Sequence, residues 1–205
     1  MKALKKNVLI IVIAFMVQVP IGCNKSYDEI YFNDSTGSQT FTDYRDGRTY
    51  RIVTIGDETW MAENLNFGAE KCSGCQVYAK FYFERDIADA IPNGWHLPNV
   101  EEWQQLTDYL GGSSMAGGKM KETGNKHWCT PNEGATNSSG FTALPAGIWD
   151  NNSGCYAREK LATFWIQKEE NDSYCDYINV YHDSSVIDIL DASVDNACSI
   201  RCIKD

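Results

Sequence analysis

Proline, histidine and cationic side chains are scarce in this sequence, and long apolar runs are absent beyond its N-terminal segment. There are 5 prolines and 3 histidines, and 18 Lys and Arg residues face 28 Asp and Glu residues, for a net charge of −10 at pH 7. This charge repels a phosphate polymer, so nucleic acid is excluded as a default partner. The hydrophobic fraction of 43% is ordinary for a globular protein, and 205 residues suffice for one domain with an appendage.

Common catalytic motifs are also missing. The sequence contains no Gly-x-Ser-x-Gly elbow, no phosphate-binding loop and no dinucleotide-binding fingerprint. Of the histidines, His96 lies in the turn Trp95-His96-Leu97-Pro98 and is expected to hydrogen-bond within it, whereas His182 is expected to be solvated. We therefore expect a protein that is not an enzyme.

The single long apolar run, Val8 to Val17, follows a basic N-terminus. It is too short to span a bilayer with any margin, and residues 1–22 have the layout of a secretory signal. The segment Pro20-Ile21-Gly22-Cys23 resembles the lipobox of bacterial lipoproteins, although Pro20 replaces the usual Leu or Val. This resemblance implies cleavage before Cys23 and lipid attachment to its thiol. We expect a lipid anchor in the outer membrane or at the cell surface, the alternatives being an uncleaved anchor or a plain signal peptide.

The lipid-bearing cysteine is followed by a polar segment and then by the domain. Residues 23–39 are rich in Ser, Asn and Asp without a sustained period, which predicts a tether. Within it, Asp28-Glu29 resembles the surface-export signals of Bacteroidetes lipoproteins. Residues 40–205 have the composition of a folded domain.

Two local patterns in this domain predict definite elements. The segments Tyr50–Ile55 and Thr59–Ala62 flank a Gly-Asp turn and predict a β-hairpin. Asn99 and Glu102 form a capping box at the start of an amphipathic helix that ends at Gly111-Gly112. A second helix is predicted over Phe81–Ala90.

The second half of the domain is predicted to be richer in loops and strands. Residues 111–139 are crowded with Gly, Ser, Asn and Thr and are expected to form a long loop region. The remaining β-rich segments predict short buried strands at Phe141–Pro145 and Ala162–Ile166, and closing strands of a meander at Tyr177–Tyr181, Val186–Leu190 and Ser199–Ile203.

The order of the motifs is characteristic. The domain contains, in this order, TFTDYRDGRTYRIVTIGDETWMAENLNF, VYAKFYFERDIADAIPNGWHLPNVEEWQQLTDYLGG, AGGKMKET, GATNSSGFTALPAG and SIRCIKD. These stretches resemble the Fibrobacter succinogenes major paralogous domain, a family of surface and secreted proteins. The Gly-Trp-His-Leu-Pro and Glu-Glu-Trp segment is also similar to the formylglycine-generating family. The resemblance implies an α+β, C-type-lectin-like domain, in which two helices flank a twisted antiparallel sheet from which a long loop region emerges.

The chain departs from this family pattern in three places. Ile91 occupies the position of a family cysteine, so Cys202 lacks its expected partner. Phe164–Lys168 replaces a Trp-Trp-Ser-Ser-Thr string, and Ala197-Cys198 replaces Gly-Phe.

Cysteine is the remaining residue type with reactive potential. Seven cysteines besides Cys23 are expected to be mostly in disulfides in an oxidising compartment, and the odd number leaves at least one free or cross-linked to another chain. The Cys72-Ser73-Gly74-Cys75 segment is interpreted as a structural disulfide, with a metal site or a redox pair as alternatives. The disulfide candidates are Cys72, Cys75, Cys129, Cys155, Cys175, Cys198 and Cys202; the last two are expected to pair with Cys129, Cys155 or Cys175.

The loop region contains candidate ligand-binding residues. Oxygen-bearing side chains there are weak candidates for calcium, the one cofactor considered, and aromatic side chains are candidates for stacking on sugar rings. The calcium candidates are Asn132, Asn137, Asp150, Asn152 and Asp172. The aromatic candidates are Trp128, Trp149, Tyr156 and Tyr174.

From these observations we expect a lipid-anchored, non-enzymatic binding or adhesion module for an extracellular glycan or protein. One alternative is a structural or assembly lipoprotein of the envelope that is cross-linked through the odd cysteine. A minor alternative is a degenerate relative of the formylglycine-generating enzymes, in which Cys198 and Cys202 would stand for their redox pair.

Overall fold

The fold is taken from a computed structural model. It describes residues 31–33, 38–68, 78, 80–168, 176–193 and 195–205. The predicted signal peptide, the lipid-bearing Cys23 and the candidate residues Cys72, Cys75, Asp172, Tyr174 and Cys175 lie outside these ranges. No helix in the described ranges is both long enough and apolar enough to cross a membrane.

The described chain belongs to the α+β class, with short helices and antiparallel sheets. The helices are α1 (Ile87–Ala90), which follows a 3-10 turn at Glu84–Asp86, α2 (Val100–Tyr109) and α3 (Ser113–Met120). The strands are β1 (Tyr31–Asn33), β2 (Ser38–Asp43), β3 (Arg48–Ile55), β4 (Glu58–Met61), β5 (Tyr82–Phe83), β6 (Trp95–His96), β7 (Ile148–Asp150), β8 (Gly154–Tyr156), β9 (Leu161–Trp165), β10 (Asp176–Tyr181), β11 (Ile187–Asp191), β12 (Asn196–Cys198) and β13 (Ile203–Lys204).

The largest sheet joins the two ends of the domain. Its six strands follow the order β1-β2-β3-β4-β13-β6. The predicted hairpin is confirmed as β3 and β4, with Ile55 paired to Glu58 across a turn in which Gly56 has φ 65°. A positive φ is easily adopted by glycine, which explains why the turn forms there. The last strand, β13, lies between β4 and β6.

Two smaller sheets complete the fold. Strands β10 and β11 confirm two of the three strands predicted for the meander, and they form an antiparallel sheet with β9 in the order β11-β10-β9. The prediction of a continuous strand at Ser199–Ile203 is wrong. The chain instead forms β12 in the sheet β5-β12-β7-β8, and then crosses to the six-stranded sheet as β13.

The capped helix is confirmed as α2. The Asn99 side chain accepts a hydrogen bond from the Glu102 backbone N–H (2.9 Å), and the Glu102 carboxylate accepts one from the Asn99 N–H (2.8 Å). These bonds satisfy two backbone donors that the first helical turn leaves open. Trp103, Leu106 and Leu110 on the apolar face are buried.

Other local predictions need correction. The helix predicted over Phe81–Ala90 is reduced to the single turn α1, because its first residues pair with β12 as strand β5. The segment Phe141–Pro145 is not a strand, and only Ala143 takes part in an isolated bridge. The region 111–139 contains α3, which the sequence analysis did not predict.

Helix α3 is stabilised by close backbone packing rather than by helix propensity. Its sequence SSMAGGKM contains two glycines, which disfavour a helix interior. A Cβ atom on Gly117 would lie 2.8 Å from the Ser185 carbonyl oxygen, and one on Gly118 would lie 2.5 Å from the Gly134 carbonyl oxygen. The missing side chains therefore allow two loops to approach the helix.

The six-stranded sheet separates two apolar clusters. Adjacent residues on β4 point to opposite faces, so Met61 joins one cluster and Trp60 joins the other. Trp60 packs on Trp103 of α2, with ring centroids 4.9 Å apart, and Phe141 and Phe164 extend this aromatic group. The second cluster thereby holds α2 and α3 against the sheets.

Candidate functional site

A polar groove of about 230 Å³ runs beside strand β3. One wall is β3, and the others are the chain after β4 and the segment that contains Thr142. We call it the β3 groove. It is lined by Arg48, Thr49, Tyr50, Arg51, Ala62, Glu63, Asn64, Asn66, Tyr78, Thr142 and Leu144.

A buried cation supports the floor of this groove. Arg201 is fully buried, and its guanidinium donates hydrogen bonds to Asn64 Oδ1 (2.7 Å) and to the carbonyl oxygens of Met61 (3.0 Å), Phe141 (2.6 Å) and Thr142 (2.9 Å). Its carbon Cζ lies 4.4 Å from the ring centroid of Phe141. Burial lowers the pKa of Arg201, because removal from water disfavours the charged form. The fork of guanidinium donors joins three segments that are distant in the chain.

Two residues of the floor are held by several bonds each. The Asn64 side chain donates to the Tyr78 carbonyl oxygen (3.0 Å) while its own oxygen accepts from Arg201. Thr142 has φ 54°, an unusual value for a residue with a side chain. The Asn137 side chain holds it there, since it accepts from the Thr142 N–H (2.8 Å) and donates to its hydroxyl (3.0 Å). These hydrogen bonds therefore fix the conformation of the floor in the free protein.

The rim of the groove is charged and accessible. Arg51 forms an ion pair with Glu63 (3.2 Å), and both side chains are exposed by more than a third. Arg48 is likewise exposed on the same strand. Exposed pairs of this kind contribute little to stability, so both arginines remain available to a ligand at small cost. Guanidinium, carboxylate, amide and hydroxyl groups together can bind hydroxyl-rich or anionic groups.

Burial of the tyrosines restricts their role in the groove. Tyr50 is 2% exposed, and its hydroxyl accepts a hydrogen bond from the Asn66 N–H (3.1 Å). Burial raises the pKa of Tyr50 to about 12. Tyr78 is 8% exposed, and desolvation also raises its pKa. Neither ring offers a broad open face, so recognition at this groove depends on polar contacts.

Three of the four described calcium candidates, Asn132, Asn137 and Asp150, form hydrogen bonds within the protein. Asn132 is buried, and its amide donates to the carbonyl oxygens of Glu122 and Gly124, whereas its Oδ1 has no hydrogen-bond partner among the described residues. Asp150 accepts from two backbone N–H groups of the next turn, and Asn152 is exposed. Within the described ranges, no group of three or more His, Cys, Asp or Glu side chains is arranged to hold a metal ion.

The candidate aromatic residues do not form one face. Trp128 is 2% exposed, and its indole N–H donates to the Ala143 carbonyl oxygen (3.0 Å), so its assignment to a ligand face is wrong. It belongs to the core, because its large apolar ring fills the second cluster. Trp149 is partly buried in β7, and Tyr156 in β8 is 45% exposed. Only Tyr156 among the described candidates has a largely open ring.

The disulfides predicted between Cys129 or Cys155 and the C-terminal cysteines do not form. Cys129, Cys155 and Cys202 are free, so neither Cys198 nor Cys202 pairs with Cys129 or Cys155. Cys129 and Cys155 are half-buried, whereas Cys202 is fully buried. Burial raises the pKa of the Cys202 thiol, which disfavours the reactive thiolate and argues against a redox role.

The histidines have local structural partners. His96 lies between the carboxylates of Glu102 and Asp205, at 2.7 Å from each, as expected for a residue that stabilises its turn. His127 contacts the Glu122 carboxylate at 2.7 Å. The expectation that His182 is solvated is wrong, because its side chain is only 18% exposed.

Arg201 and Lys121, the two buried cations among the described residues, were not predicted from the sequence. Besides Arg201, Lys121 is fully buried and donates to the carbonyl oxygens of Glu133, Tyr181 and Ser184 at 2.7–2.8 Å. A signal existed for Arg201, since it is a single charge between Ile200 and Cys202-Ile203 in an apolar segment. A charge in such a segment requires buried hydrogen-bond partners. Lys121, in the polar run before Glu122, shows no comparable signal.

Two further concave surfaces lie elsewhere. One, of about 350 Å³, lies between α1 and β6 and includes Ile87, Trp95 and His96. The other, of about 320 Å³, lies between α2 and β11. Typical small-molecule sites measure roughly 300–1,000 Å³, so these two surfaces are at the lower end of that range and the β3 groove is below it.

Most of this sequence matches a known protein family. A family model described as the Fibrobacter succinogenes major domain matches residues 53–204. No curated protein and no solved structure matches the chain. Because the family match covers 152 of the 205 residues, this protein belongs to the Fibrobacter succinogenes major domain family.

Proposed function

We propose that this protein is a lipid-anchored, non-enzymatic binding module whose β3 groove takes an extracellular glycan. The observation that carries the proposal is the polar groove with a rigid floor, formed by Asn64 and Thr142 on the buried Arg201, and with an arginine-bearing rim. We include in the proposal a C-type-lectin-like arrangement of the domain.

The chemistry of the groove favours a sugar over an apolar peptide. Sugars present many hydroxyl groups, and the lining offers guanidinium, amide, carboxylate and hydroxyl partners. A fixed floor reduces the entropy that binding costs, because Asn64 and Thr142 are already oriented. The two arginines on the rim favour sugars that carry a carboxylate or sulfate group. We propose that binding is independent of calcium.

The proposed location is the outer membrane or the cell surface. The basic head, the apolar run and Cys23 support export and lipid attachment. Incorporation of labelled palmitate into the wild type and its loss in Cys23→Ala would support the anchor. Equal labelling of both chains would reject it.

A glycan array tests the groove. The full chain in detergent is applied with calcium and with EDTA, beside Arg51→Gln and Arg48→Gln. Arg85→Gln serves as the matched control, because Arg85 is exposed and lies outside the groove. We expect wild-type and control binding to the same acidic sugars in both buffers, and weaker binding by the groove variants. Equal binding by all four chains would reject the groove as the site.

A second candidate function is an assembly lipoprotein of the envelope that is cross-linked through cysteine. The specific observation in its favour is that Cys129 and Cys155 are free and only partly buried. A dimer band on a non-reducing gel that Cys129→Ser or Cys155→Ser removes would support this function. A chain that stays monomeric under oxidising conditions would reject it.

A further inference from the structure

Strand β11 has an open edge. The order β11-β10-β9 places it at the border of its sheet, and no other described strand pairs with its outer side. An edge strand carries a row of backbone N–H and C=O groups that can pair with another extended chain. Natural proteins usually cover or charge such an edge, so its side chains indicate which chains it accepts.

The groove beside α2 follows this edge. Its cavity of about 320 Å³ touches four consecutive residues of β11, from Ile187 to Leu190. Because successive side chains of a strand point to opposite faces, a cavity that touches four in a row runs along the edge of the strand. Its other wall is formed by Gln104, Thr107 and Ser113.

The edge combines exposed apolar and acidic side chains. Ile189 and Leu190 are 40% and 43% exposed, and Asp188 and Asp191 are exposed beside them. Within the described part of the chain, neither carboxylate has an ion pair with Lys or Arg; Asp188 does have a hydrogen bond with Tyr181. The groove lining contains no cation.

The carboxylates of Asp188 and Asp191 favour a cationic partner over a second copy of this chain. A second copy would bring two β11 strands together and place four carboxylates in one short ribbon, and like charges across strands are destabilising. An extended segment that alternates Lys or Arg with apolar residues would oppose a cation to Asp188 on one face and an apolar side chain to Ile189 on the other, and the negative charge of Asp191 would add to the attraction for the cations.

We propose that the β11 edge is a docking site for a basic, extended segment of a partner protein, which adds as a strand and lies along the groove beside α2. Main-chain hydrogen bonds supply affinity in this mode, and alternate side chains supply specificity. The site is separate from the β3 groove and does not depend on glycan binding.

A labelled peptide that alternates Lys and Val and spans β11 is the probe, and the full chain in detergent is the receptor. Fluorescence anisotropy measures binding to the wild type and to Asp188→Asn/Asp191→Asn. We expect the double variant to bind about tenfold more weakly. Asp57→Asn/Asp86→Asn, which changes two exposed acids in other elements, is the matched control and is expected to bind like the wild type.

Backbone pairing is tested separately from charge. Two versions of the peptide carry N-methyl groups on alternate residues, so that only one version blocks the N–H groups that face β11. We expect one version to lose binding and the other to retain it, and amide exchange of β11 to slow on binding. No binding by the original peptide, equal binding of its Glu-for-Lys version, equal effects of both methylation patterns, or wild-type dimers in which amide exchange of β11 is already slow would overturn the proposal.

Discussion

Replacing Arg201 by methionine is expected to destabilise the protein strongly. The change removes the donor that serves Asn64 Oδ1 and the carbonyl oxygens of Met61, Phe141 and Thr142. Each buried acceptor that loses its partner costs about 1–3 kcal/mol. Thr142 and Asn64 line the groove, where water can replace part of the loss, so two acceptors remain fully deprived. We expect a loss of about 2–6 kcal/mol in the free energy of unfolding.

Urea unfolding followed by tryptophan fluorescence measures this loss. Arg201→Lys keeps a cation but lacks the planar fork, and is expected to lie between the wild type and Arg201→Met. Arg85→Met is the control, because Arg85 is exposed, and should change stability by less than about 0.5 kcal/mol. A loss below about 1 kcal/mol for Arg201→Met would refute the reasoning. It would mean that removing the buried charge recovers about as much free energy as the unpaired acceptors cost.

Three further perturbations test other contacts of the fold. Burial lowers the pKa of Lys121 to about 8, so between pH 8 and its unfolded value of 10.5 the unfolded chain binds the additional proton. The stability of the wild type should therefore rise relative to Lys121→Met as the pH is raised from 8 to 9.5 in urea titrations, and a relative fall would contradict this. Burial disfavours the charged form of His96, but hydrogen bonds with Glu102 and Asp205 favour it more, so the pKa of His96 is raised. The charged imidazolium therefore stabilises the fold fully below about pH 6.5, and this contribution is lost as the pH rises through the folded pKa. His96→Gln should accordingly lower the melting temperature more at pH 5.5 than at pH 8; an equal loss at both would exclude the charge effect. Gly118→Ala places a methyl group 2.5 Å from a backbone carbonyl oxygen and should cost about 1–3 kcal/mol in urea unfolding, whereas an unchanged midpoint would mean that the loop shifts freely.

The elements that sequence reasoning predicted are those whose causes lie within a few residues. Asn99 and Glu102 bond each other across one helical turn, and the β3–β4 hairpin forms around Gly56. Helix α3 depends on the approach of Ser185 to Gly117, 68 positions apart in the chain, which no local pattern encodes. Tertiary contact overrides helix propensity there.

The β3 groove was not predicted for a similar reason. Its rim residues Arg48 and Arg51 look like ordinary exposed strand residues in the sequence. The floor exists because Arg201 reaches Asn64, which is 137 residues away. The sequence analysis instead favoured the polar loops around Asn132 and the ring of Trp128, and these side chains stabilise the interior.

The position of β13 makes the order of synthesis matter for folding. This strand is formed by Ile203 and Lys204 near the end of the chain, yet it lies between β4 and β6 inside the largest sheet. The sheet therefore cannot close until the final residues are available, and contacts of such high sequence separation form slowly. A nascent chain that still lacks β13 cannot pair β6 with the rest of this sheet. Loss of Ile203 and Lys204 would likewise separate β6 from β4, because β13 is the strand that joins them.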